Sequence, residues 1–102
     1  MDQFAIWAHL EAKPGKEQEV AAFLKSALPL AQGEAGTTTW YAVQLSPSTF
    51  GIYDTFPTEA DRNAHVGGPI AKALFAKADE LLAKAPEINM LTILASKAPG
   101  GA

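Results

Sequence analysis

Apolar and polar positions alternate along this chain with two periods, and the switches between them mark out its elements. In "FAIWAHLEA" (4–12) Phe4, Ile6, Ala8 and Leu10 form one face and Ala5, Trp7, His9 and Glu11 the other, which predicts a strand. Pro14-Gly15 ends it. From Lys16 to Gln32, Val20, Phe23, Leu24, Ala27, Leu28 and Ala31 recur at helical spacing, with Lys16, Glu17, Glu19 and Lys25 off the stripe. Pro29 falls inside that pattern and predicts a kink or an end near Leu28. After the loop "GEAG", "TTTWYAVQL" (37–45) and "FGIYDTF" (50–56) read as two strands, joined by the turn "SPST" into a hairpin. Thr58, with Asp61 three residues on, resembles a helix start and predicts a short helix over 58–66. Pro69 suits the first turn of a longer helix with Ile70, Leu74, Phe75, Ala78, Leu81 and Leu82 on its apolar face. Pro86 closes it, and "INMLTILAS" (88–96) is the last strand.

The order β-α-β-β-α-β predicts an α+β, ferredoxin-like fold, a four-stranded antiparallel sheet with its helices on one face. Such a sheet should be apolar on one side only. These strands are apolar on both. Trp7 lies on the face opposite Phe4 and Ile6, Trp40 on the face opposite Tyr41 and Val43, and the last strand has no polar face at all. An uncovered face bearing Trp7, Trp40 and Tyr53 marks an interface, and the economical solution is a homodimer packed sheet to sheet.

Composition narrows the function classes. At 102 residues the chain fits one domain, over 1–97, with 98–102 a flexible tail. It has no cysteine, so disulfides, thiolate metal sites and cysteine nucleophiles are excluded. A net charge of −3 without a basic cluster argues against nucleic acid. No apolar run reaches membrane-spanning length and no secretory signal is visible, so no membrane and a cytoplasmic location are expected. Gly67-Gly68 lacks a following Lys-Ser/Thr and is no phosphate loop. His9 and His65 with scattered acids show no metal spacing.

The segment "AKPGKEQEVAAFL" after a first strand, then a hairpin, then "DTFPTEADRNAHV" before an alanine-rich helix resembles the antibiotic biosynthesis monooxygenase family over residues 4 to 97. The most specific parts are the Pro14-Gly15-Lys16 helix entry and an aromatic-polar-acidic-Ala-x-x-x-His pattern. Phe56 stands there where the family has tryptophan, followed by Glu59-Ala60 and His65. The resemblance implies a dimeric α+β barrel with a pocket between sheet and helices. Some members are cofactor-free oxygenases of phenolic or quinol substrates and others degrade haem. In the haem branch the resemblance places an asparagine, a tryptophan and an axial histidine where this chain has Ala8, Phe56 and Leu74. None of these three can ligate iron or hydrogen-bond its ligand, so haem chemistry is set aside and no cofactor or metal is expected.

If Ala8 and Phe56 face that pocket, strand parity puts Ile6 and Asp54 there, with Leu74 from the long helix. A tight turn at 46–49 would set Leu45 opposite Phe50 and Tyr41 opposite Asp54. Asp54 then has two readings, an acid satisfied by the Tyr41 hydroxyl or a helix-start N–H, or a desolvated base. His65 likewise either interacts with the last carbonyls of its helix or stands at the pocket rim. Arg62, the only arginine, is expected in solvent, His9 on the dimer face, and Tyr41 beside the substrate. The resemblance implies a cofactor-independent monooxygenase of a small apolar or aromatic substrate of phenol or quinol type. Asp54 and His65 would be catalytic, and Tyr41, Phe56, Ile6, Ala8 and Leu74 would bind substrate. The alternative is a non-catalytic dimeric module of the same fold, binding a small ligand or serving a stress-related role.

Overall fold

The computed structural model describes residues 2–98; residues 99–102 of the expected tail lie outside the described residues. Eight elements follow one another: β1 (Phe4–Glu11), α1 (Glu17–Ser26), α2 (Leu28–Gln32), β2 (Thr39–Gln44), β3 (Thr49–Phe56), α3 (Glu59–Val66), α4 (Pro69–Leu81) and β4 (Glu87–Thr92). The strands form one antiparallel sheet in the order β2-β3-β1-β4, the α+β ferredoxin-like arrangement. Pro29 divides the predicted helix at Ala27. It has no N–H to donate and its ring excludes a carbonyl one turn back, so it sits in the first turn of α2.

The strands place their even-numbered residues toward the helices. Leu10, Phe50 and Ile52 pack there against Val20 and Leu24 of α1 and Leu74 of α4. The hairpin register differs from the predicted one. Leu45 N–H donates to the Thr49 carbonyl (2.8 Å), so the strands stay paired one step further into the turn than expected. A slip of one residue turns every side chain of a strand over. Asp54 is therefore opposite Trp40, and Tyr41 is opposite Tyr53. Trp40 lies on the helix side, against both core clusters, and not on the open face as expected; Tyr41, 57 % exposed, lies on the open face and not beside Asp54. This arrangement buries the larger ring and leaves the phenol hydroxyl in water.

β4 stops at Thr92 rather than Ser96. Its partner β1 begins at Phe4, and beyond that pair one hydrogen bond remains, from Ile93 N–H to the Gln3 carbonyl; Leu94 is 94 % exposed. α3 starts as predicted, the Thr58 hydroxyl accepting from the Asp61 N–H at 3.1 Å. Arg62 is not in solvent. Its guanidinium stacks over Phe4 at 5.1 Å, donates to the Leu91 carbonyl at 3.1 Å, and its side chain is only 11 % exposed. The arginine thus clamps α3 to the neighbouring strands β1 and β4.

On the open face the Trp7 ring lies flat over Gly51 of β3. A Cβ on Gly51 would fall 2.2 Å from Cη2 of Trp7. Gly51→Ala should therefore displace the indole and cost about 1–3 kcal/mol, measured by chemical denaturation. An unchanged denaturation midpoint would show that Trp7 moves without penalty.

Candidate functional site

Strand parity carries Asp54 into the layer between sheet and helices, where it is 1 % exposed and flanked across the ladder by Ile6 and Trp40. The last turn of α3 delivers His65, 9 % exposed, with its ring against Phe56 (centroids 5.2 Å apart). Nε2 of His65 is 2.8 Å from Asp54 Oδ2. The contact is short but lies off the line of a straight N–H···O bond, and Asp54 Oδ2 counts no well-aligned donor. We read it as an ion pair, since distance governs that attraction more than angle.

The other ring nitrogen meets a residue absent from the sequence reading. Nδ1 donates to Glu34 Oε1 at 2.5 Å, from the loop between α2 and β2, and the Thr37 hydroxyl holds the same oxygen at 2.9 Å. A carboxylate at each nitrogen favours the form of His65 with hydrogen on both, the imidazolium. Burial alone pushes the imidazole pKa down. The carboxylates of Asp54, then of Glu34, outweigh it and hold the pKa above the ordinary 6.5. As a cation, His65 has no lone pair for a metal, and among the described residues no group of three or more His, Asp or Glu side chains is set to hold one.

Asp54 Oδ1 is buried and has no hydrogen-bond partner. The carboxylate and His65 form one end of a cavity whose other walls are apolar. Ile6, Ala8 and Ile52 line it from the sheet and Ile70 and Leu74 from α4, and the exposed Val66, Phe75 and Ile88 lie at its mouth. The space open to the centre of a water molecule is about 40 Å³. Of the residues singled out from sequence, Asp54, His65, Ile6, Ala8 and Leu74 meet at this cavity. Phe56 stands behind His65, fully buried, and Tyr41 is on the opposite face of the sheet. Glu34 is the one residue of the group that the sequence does not point to, and Trp40, expected on the open face, instead lies across the ladder from Asp54. A lone acid in a glycine-flanked loop has no spacing relation to a histidine 31 residues on.

The sign of the His65 shift sets a pH dependence. A histidine whose folded pKa is raised stabilises the fold in full below its unfolded pKa, near 6.5. That contribution is lost as pH rises through the folded value. The melting temperature should fall from pH 6 toward pH 9, and His9→Gln, which removes the other histidine, should leave the decline in place. A flat profile across that range would contradict the ion-paired imidazolium.

No protein-family model and no curated protein matches the chain. Solved structures do. The NE2512 protein of unknown function from Nitrosomonas europaea is 51 % identical, with 99 % of this chain and 98 % of that one covered and a TM-score of 0.95. Rv0793 from Mycobacterium tuberculosis is 17 % identical over 93 % of this chain and 98 % of its own, TM-score 0.82. A Nitrosomonas europaea protein provisionally named an antibiotic biosynthesis monooxygenase is 14 % identical over 94 % of each chain, TM-score 0.80. At such identities the last two establish a common fold. Among the described residues no helix is long and apolar enough to cross a membrane.

Proposed function

We propose, for a chain that belongs to the family of the NE2512 protein of Nitrosomonas europaea, that the cavity oxygenates a small phenol- or quinol-type compound without a cofactor. The observation that carries this is Asp54, a buried carboxylate that lines an apolar cavity and whose Oδ1 has no partner. The fold shared with a protein provisionally named a monooxygenase supports it. A substrate hydroxyl donates to Oδ1, Asp54 takes the proton, and the phenolate that forms is stabilised by the adjacent imidazolium of His65. Apolar walls keep water from the anion. The electron-rich ring then reduces dioxygen directly. A phenol with a free para C–H and one O₂ give a quinone and one water, with all four electrons supplied by the ring.

The test is dioxygen consumption with a panel of hydroquinones and phenols. Asp54→Asn keeps the side chain's shape and removes the base. Turnover should drop by about a hundredfold or more while the fold persists. Unchanged turnover would remove Asp54 from the chemistry. One observation favours the alternative of a non-catalytic binding module. An apolar cavity of roughly 150 Å³ is known to hold benzene, whereas only about 40 Å³ is enclosed here, so a ring must lie partly in the mouth beside Phe75. Saturable binding of a phenol with no dioxygen consumption would establish that alternative.

We also propose that a second copy covers the open sheet face, where Trp7, Tyr41, Tyr53 and Val43 are exposed or half-buried. Sedimentation equilibrium at micromolar concentration should give twice 10.8 kDa, and Tyr41→Asp should shift the protein toward monomer. A wild-type monomer mass would overturn the assembly.

A further inference from the structure

The charge of the site is set by a residue outside the cavity. Asp54 and an imidazolium alone would form a neutral pair. Glu34, against the far side of the ring, adds one negative charge, and its Oε2 is buried without a partner to offset it. The charged groups packed around His65 are Asp54 from β3 and Glu34 from the α2–β2 loop. The one arginine is committed to Phe4 and the Leu91 carbonyl, and no lysine lines the cavity. With both carboxylates ionised and His65 protonated, a ligand in this cavity meets a net charge of −1, and no second cation lines it.

We propose that Glu34 is a positioning residue that makes the cavity selective by charge: it admits uncharged hydroxyl-bearing aromatics and turns away aromatic carboxylates of the same size. In water one unit charge at this range matters little, but in a buried site it is weakly screened. Glu34 touches no ligand; it acts by holding His65 from behind, so both imidazole N–H groups are fixed between carboxylates. The inference rests on this cavity being the ligand site proposed above, though not on turnover.

The experiment follows the His65 imidazole resonances by NMR during titration with 2,5-dihydroxybenzamide and 2,5-dihydroxybenzoate, which match in size and differ in charge. In the wild type the amide should shift these resonances saturably and bind about tenfold or more tighter than the benzoate. Equal binding of the two, or binding of neither, overturns the inference using the wild type alone. In Glu34→Gln the preference should collapse to within a few-fold and the His65 titration midpoint should move down; Glu34→Asp, which keeps the charge, should restore the preference. A Gln variant with unchanged preference and unchanged midpoint would also overturn it. Failure of the oxygenase reading looks different, since the amide then binds as expected but no dioxygen is consumed.

Discussion

An acid buried to 1 % exposure among aliphatic side chains is tolerable only because a cation reaches it, and the contact between His65 and Asp54 is the interaction on which the site depends. Removing His65 would leave Asp54 as an uncompensated buried charge, at about 3–5 kcal/mol, whereas without the Asp54 charge His65 still has Glu34. Every element around the pair is arranged to keep it. β3 points Asp54 inward, Thr58 and Arg62 fix the start and the flank of α3, and the loop before β2 brings Glu34 to the far nitrogen. The pair is also why the cavity beside it is chemically more than a packing defect. Its apolar walls resemble the neighbouring core, and a buried carboxylate without a well-aligned donor is what distinguishes it.

The two sheet faces follow different rules. On the helix side Trp40 packs between the two core clusters. On the open side Trp7 lies over a glycine, which lets its ring sit close to the sheet, with Tyr41 exposed and Tyr53 half-buried on the same face. A flat aromatic surface of this kind is suited to meet another flat surface, whereas a pocketed one is suited to enclose a small molecule. The domain carries one of each, back to back across a single layer of strands.

Much of this was legible in the residues. The period of two in β1 and of 3.6 in α1 and α4, with proline at their ends, gave the element order and hence the topology. Parity from Ala8 placed Asp54 and Ile6 correctly on the helix side. The hairpin defeated the same logic because "SPST" does not by itself say whether Leu45 faces Thr49 or Phe50, and that single step exchanged the positions of Trp40 and Tyr41. Arg62 was misjudged because a charged residue on a polar helix face usually points to water; here the ring of Phe4 and the carbonyl of Leu91 compete successfully for it. Glu34 carried no readable signal, since only chain folding in three dimensions relates it to His65.

The two contacts of His65 differ in how much of the chain they span. Asp54 and His65 are 11 residues apart (65 minus 54), joined by a strand end and one short helix, whereas Glu34 and His65 are 31 apart. Closing the longer loop costs only about 1 kcal/mol more chain entropy, but the far contact also requires the α2–β2 loop to be in place, which the near pair does not. A chain in which the α2–β2 loop has opened still has its acid and its cation together, as a neutral pair. The second carboxylate comes with the loop, so the charge beside the cavity depends on a segment that lines none of it.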